Sequence, residues 1–207
     1  MGTVTETGKR NGHGPESETK KKGAGQSGAQ ESPSFLQKFF LDQLKDMYYA
    51  EQELVKTLPE IKSVATTEEL EDAIEDHTQQ TKRHVKRLEK VFHIIGSKPE
   101  GKRCEAMDGL IKECKTIIRE TEEGTMTRDA ALIIACQKIE HYEIASYGGL
   151  VALALTMGLE RAADILDKSL AEEEWNDQLL TDIAETFINV EAEHEGKYNW
   201  DKKIWVV

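Results

Sequence analysis

Four stretches of this chain carry apolar residues three or four positions apart, the spacing that lays one face along an α-helix. The first runs Phe40, Leu44, Met47, Leu54, Leu58 and Ile61. The second runs Leu70, Ile74, Leu88, Val91 and Ile95. The third has Ile133, Cys136, Tyr147, Leu150, Ala154 and Met157, and the fourth Ala163, Leu166, Leu170, Leu180, Ala184 and Phe187. Near the middle, each seam turns polar: Glu51 in the first, His77 and His84 in the second, Glu140 and Glu143 in the third, Glu173 and Asp177 in the fourth. No alternating strand pattern occurs. The chain is therefore expected to be all-α, a four-helix bundle of two antiparallel pairs.

The helix ends are marked. Ser34 after Pro33 reads as an N-cap, and Thr66 with Glu69 as a capping box opening the second helix. Gly96 and Gly158 read as stops for the second and third long helices. Thr127 reads as the start of the third, and Pro59 as a kink or a frayed last turn in the first. A shorter helix over about Glu105 to Glu122, closed by Gly124, bears one apolar stripe (Met107, Leu110, Ile111, Cys114, Ile117, Ile118) and reads as the crossover between the pairs.

Residues 1–33 are rich in Gly, Ser, Thr, Lys and Glu and read as a disordered tail. The folded domain is expected over 34–190. A polar C-terminal tail, 191–207, carries Tyr198, Trp200, Ile204 and Trp205. Either tail is a place for a protein partner to dock. The net charge is -12 over 207 residues. An acidic body argues against nonspecific binding to nucleic acid, and against an anionic membrane surface as partner. No apolar run reaches the length of a membrane span and the N-terminus has no apolar signal core. The three cysteines (Cys104, Cys114, Cys136) are odd in number and form no C-x-x-C, which fits reduced thiols and a cytoplasmic setting.

Can the polar seam residues meet? The first pair turns near residues 65 and 66, which puts Glu51 level with about residue 80, with His77 and His84 either side. The second pair turns near Gly158; Glu143 lies fifteen residues before it and Glu173 fifteen after. Glu140 then falls level with Asn176 and Asp177. Glu140 and Glu143 share a helix face, and two anions side by side in a core repel. A pair of divalent cations relieves that, as would protonation or a basic partner, but the four seams contain no Lys or Arg. The expected metal ligands are Glu51, His77, Glu140, Glu143, Glu173 and Asp177. His84 stands about 10 Å along the axis from His77 at 1.5 Å per residue, so one compact site is expected to use one of the two histidines, His77 first and His84 as the alternative. His141 is expected to face solvent or to support a ligand from outside. Tyr48, Tyr49, Tyr142 and Tyr147 flank the acids, and each reads first as packing.

The blocks FFLDQLKDMYYAEQELVKTLP, EDHTQQTKRHVKRLEKVF, RDAALIIACQKIEHYEIASYG and LAEEEWNDQLL resemble the bacterial YciF-like family, a ferritin-like group of unknown function associated with stress. The resemblance covers about residues 34 to 190. It implies a ferritin-like, rubrerythrin-related four-helix bundle, a homodimer, and a di-iron or di-manganese carboxylate site. Glu51 matches the carboxylate of the first helix, Glu143 or Glu140 that of the third, and Glu173 that of the fourth. Two departures stand out. Gln80 replaces a glutamate of the family pattern, which implies one metal held well and a second weakly, a preference for manganese over iron, or a relic site held by hydrogen bonds; two ions remain the expectation. After Glu173 no histidine follows at three or four residues; Asn176 and Asp177 are there. The function implied is protective oxygen or peroxide chemistry at such a site. A metal-holding protein without turnover, and a structural or interaction protein with a degraded site, are the alternatives.

Overall fold

In the computed structural model of the chain, residues 32–195 are described. Five helices build the body: α1 (Phe35–Lys62), α2 (Glu68–Ile94), α3 (Glu105–Glu120), α4 (Met126–Thr156) and α5 (Glu160–Ile183). A π-helical turn, Ala184–Ile188, joins α5 to the short α6 (Asn189–Glu195). The last helix thus continues five residues past the boundary expected at 190. The segments expected to be tails, including Tyr198, Trp200, Ile204 and Trp205, lie largely outside the described residues.

The helices pack in a square. α1 lies against α2 and α4, and α5 lies against α2 and α4, with α3 laid on α4. α2 and α4 begin at the same end of the bundle, because Asp129 in the first turn of α4 accepts hydrogen bonds from the backbone N–H groups of Thr66 (2.7 Å) and Thr67 (2.8 Å). That places the crossover α3 between the pairs, as the apolar stripe anticipates.

The helix ends show local and tertiary chemistry competing. Ser34 caps α1 in a reciprocal capping box with Gln37. Gly96, Gly124 and Gly158 all have φ near +70°, the left-handed conformation that ends a helix or turns a loop at no steric cost to glycine. Two expected caps move. The N-cap of α2 is Thr67, not Thr66; Thr66 instead donates its hydroxyl to the Thr125 carbonyl oxygen. The N-cap of α4 is Thr125, not Thr127. Thr127 is taken by Glu195 of α6, whose carboxylate accepts from its N–H and its hydroxyl at 2.9 and 2.8 Å. α1 runs on through Pro59 to Lys62, so proline does not fray the helix there.

One apolar core fills the bundle at both ends, with Phe40, Leu88, Phe92 and Leu150 at one and Leu58, Leu70 and Ile133 at the other, all fully or nearly fully buried. Its middle layer is different. Glu51, His84, Glu140, Glu143 and Glu173 are completely buried there and His77 is 5% exposed.

Candidate metal centre

Each long helix delivers its polar residues to the interior because they sit in register with its apolar face: Glu51 lies between Met47 and Leu54, and Glu140 and Glu143 between Cys136 and Tyr147. In lipid-like surroundings an unpaired carboxylate costs several kcal/mol even after the protein relaxes. Four of them meet here.

They form two groups that share one member. His77, Glu140, Glu143 and Glu173 can bring one donor atom each within 4.8 Å of all the others, and so can Glu51, His84 and Glu173. Glu173 divides its oxygens: Oε1 stands 2.7 Å from His84 Nδ1 and Oε2 stands 3.3 Å from His77 Nε2. His77 Nδ1 is 3.2 Å from Glu140 Oε1, and His84 Nδ1 is 3.2 Å from Glu51 Oε1. A buried cluster of this donor set can hold a metal ion.

Many of these atoms have no hydrogen-bond partner among the described residues. Both oxygens of Glu140 and of Glu143, one oxygen each of Glu51 and Glu173, His77 Nε2 and His84 Nδ1 are buried and unsatisfied. His84 Nδ1 approaches two carboxylates without hydrogen-bond geometry to either. Buried polar atoms are nearly always satisfied, so eight orphans in one layer fit a cation bound among them, and the residues present fit the metal the resemblance implies.

The electrostatics agree. Burial drives Glu140 and Glu143 well above the ordinary carboxylate range, and the neighbouring Glu173 charge adds to it. Burial also raises Glu51, with His84 opposing it in part. Glu173 moves the other way: burial disfavours its charge, but His77 and His84 overcome that and hold it well below the usual value. For His84, burial lowers the pKa, yet Glu51, Glu172 and Glu173 together push it up to about 12. Without metal, burial favours the protonated forms of Glu140 and Glu143, and the surrounding carboxylates favour that of His84.

An outer layer holds the His84 side. His84 Nε2 is 2.7 Å from Glu172 Oε2, and Arg87 donates to both oxygens of Glu172 at 2.8 Å. With its Nε2–H given to Glu172, His84 would present its Nδ1 lone pair to the interior on losing its second proton to metal binding, the arrangement by which carboxylates orient metal-binding histidines. Tyr147 donates its hydroxyl to Glu51 Oε1, and its ring meets His84 edge-on at 5.9 Å.

Several expectations change. His84 belongs to the cluster alongside His77: the two-turn gap between them is spanned because Glu173 reaches both. Asp177 is not in either group. Its carboxylate turns outward to His141 Nδ1 at 3.2 Å, and Asn176 takes the inward position, donating to Glu173 Oε2 at 3.4 Å. His141 is exposed. Gln80 is one step removed, its amide oxygen accepting from Asn176 at 2.7 Å. Glu172 and Arg87 were invisible to the seam argument because neither lies on an apolar face; the only sequence signal is that Glu172 precedes Glu173.

The comparisons with known proteins join this geometry. The family described as domain of unknown function (DUF892) matches residues 35–193. The chain belongs to that family. It is 38% identical to protein YciF of Escherichia coli K12 over 162 residues, covering 78% of this chain and 97% of that one. The crystal structure of that Escherichia coli stress protein superposes with a TM-score of 0.72, covering 76% of this chain and 99% of YciF. YcfI from Rhodopseudomonas palustris, provisionally described as a structural protein, superposes with a TM-score of 0.70 at 36% identity, covering 72% of this chain and 94% of YcfI. Among the described residues of this DUF892 chain, no helix is long and apolar enough to cross a membrane.

Proposed function

We propose that this chain holds two divalent transition-metal ions, iron or manganese, in the middle layer of its bundle, and that the pair reacts with oxygen or peroxide in a protective role. The split of Glu173 carries the reading: one carboxylate facing two histidines from its two oxygens is suited to bridging two ions. Charge supports it as well. Glu51, Glu140, Glu143 and Glu173 supply four negative charges when ionised, which two divalent cations balance and one does not.

The donor set is four carboxylates and two imidazoles, the same inventory as in dinuclear carboxylate sites of ferritin-like bundles, with the histidines redistributed. Both come from α2, and α4 contributes two glutamates. Gln80 is therefore compensated by the second glutamate of α4, and a single-metal site is not required by it. When bound, such a pair would supply one-electron redox chemistry and polarise a coordinated oxygen atom.

The chain's own residues have distinct tasks in this reading. Glu173 fixes the spacing between the two halves. Arg87 and Glu172 hold the His84 tautomer. Tyr147 fixes Glu51 by its hydroxyl, and the closed apolar layers above and below keep bulk water away. Glu140 and Glu143, whose charged forms burial disfavours, would be the residues to release protons on binding metal.

A second reading has its own observation. The His84 side is already held by the hydrogen bonds of Glu172, Arg87 and Tyr147 without metal, which suits a bundle that holds metal or protons for structure alone. The discriminating experiment is anaerobic loading with ferrous iron, followed by peroxide addition. Peroxide consumption well above that of the same free iron, and lost in Glu173→Gln, supports the redox reading. Consumption equal to free iron with the metal retained supports the structural one.

A further inference from the structure

The centre is closed on one side and thin on the other. On the His84 side, the outward nitrogen is bonded to Glu172, which Arg87 grips with two hydrogen bonds, and Tyr147 lies over Glu51. Glu51, His84, Glu140, Glu143 and Glu173 have no solvent exposure at all. The His77 side differs. His77 is 5% exposed and Asn176 3%. Both border a small cavity of about 10 Å³ in the seam between α2 and α5, walled by Ala73 and Ile74 from one helix, Leu179 and Leu180 from the other, and Cys136 of α4.

We propose that this seam is the port to the centre, and that it admits water, dioxygen or hydrogen peroxide to the His77 half while excluding wider molecules. The inference rests on the metal reading above and names its substrate class. Size is the first argument. A cavity near 10 Å³ is at the lower limit for one water molecule, so a diatomic or a peroxide passes with side-chain breathing and a branched organic peroxide does not. Polarity is the second. Apart from His77 and Asn176, the walls are alkyl groups and a thiol, which gives a charged solute no hydrogen bonds on the way in and favours small uncharged ones. Position is the third: the port ends on His77, whose Nε2 is one of the buried unsatisfied atoms. The two halves are therefore inequivalent. The His77 half meets the incoming molecule, and the His84 half is held from outside by its hydrogen bonds.

Ala73 and Leu179 set the width, and they test it in opposite directions. Full-length protein loaded with ferrous iron is mixed with nitric oxide, an uncharged diatomic probe, and the absorbance change on binding is followed by stopped flow. Ala73→Leu is expected to slow association about tenfold, and Leu179→Ala to speed it several-fold and to admit tert-butyl hydroperoxide, which the unaltered protein excludes. Lys90→Leu, on the exposed face of α2, serves as control and is expected to leave the rate unchanged. Helicity and iron content are measured for every variant. Unchanged rates in both port variants, with iron and helicity retained, overturn the port and leave the metal reading standing. A folded, unaltered protein that takes up no iron overturns both.

Discussion

The two histidines of α2 occupy the same layer and live under different rules. His84 is fully buried and held from outside by a chain of charged hydrogen bonds, through Glu172 to Arg87. His77 has carboxylates at both nitrogens (Glu140 and Glu173) and no such chain behind it. Its neighbours Glu140 and Glu143 have no hydrogen bond from the described residues on any of four oxygens. One half of the centre is thus organised before any metal arrives. The other is raw charge, tolerable only with protons or a cation in place. A carboxylate belonging to both, Glu173, is what makes them one site.

The comparison breaks most completely at that shared residue. Glu173→Gln keeps the shape and removes the bridging charge, and it is expected to lose both metals, with at least a hundredfold weaker binding by titration calorimetry. Near-normal stoichiometry in this variant would dissolve the link between the halves. Next comes Glu140→Gln, which touches only the His77 half and should reduce metal content from two per chain to one, read by elemental analysis. Loss of both ions would mean the halves do not fill separately.

The outer layer predicts a smaller and opposite asymmetry. Glu172→Gln or Arg87→Ala leaves the first ring of donors intact but frees the His84 ring, and second-layer losses of this kind cost roughly 10–100-fold in metal affinity. The effect should fall on one of the two ions. Equal weakening of both would contradict the division of labour.

The unloaded protein sharpens the contrast through pH. Glu140 and Glu143 have raised folded-state pKa values, so the folded state binds more protons than the unfolded chain, and stability falls as pH rises above the ordinary carboxylate value. His84 acts with the same sign: raised from 6.5 to about 12, its contribution is full below 6.5 and is lost progressively as pH climbs toward 12. Glu173 and Glu172, the latter lowered to about 2, oppose this only at the acid end, where their contribution disappears as pH falls below the ordinary value. Thermal unfolding of metal-free protein should therefore show a Tm falling from pH 5 to pH 9, and metal should flatten the profile. A metal-free Tm that rises over that range would contradict the sign.

The smallest effect is expected at Gln80→Glu. Its side chain meets Asn176 and not a metal ligand, so stoichiometry by elemental analysis should stay at two. A gain in affinity would return Gln80 to the coordination shell.

How much of this was readable beforehand follows the reach of helical periodicity. Seam positions such as Glu51, Glu140, Glu143 and Glu173 are legible because an acid in register with Leu and Ile must point inward. Their common height is legible too, since Gly158 sets the fold-back and the rise per residue is fixed. What a side chain does after leaving its helix is not legible. His84 was set aside on distance along its own helix, which ignores a glutamate on another helix spanning the gap. Asp177 was included because, four residues past Glu173, it lies only about 40° off that face; periodicity does not tell it from Asn176, about 60° to the other side, and it is Asn176 that bonds Glu173 while Asp177 meets His141. Thr66 and Thr127 look as good as Thr67 and Thr125 for capping; Asp129 and Glu195, arriving from elsewhere in the bundle, decide between them.

The central claim is a dinuclear centre with Glu173 in common, and elemental analysis of the folded chain tests it most directly. The full-length protein would be loaded anaerobically with iron or manganese, freed of loose metal and assayed per chain. The account predicts about two ions, falling to none in Glu173→Gln at unchanged helicity. A well-folded protein that retains no metal would contradict it.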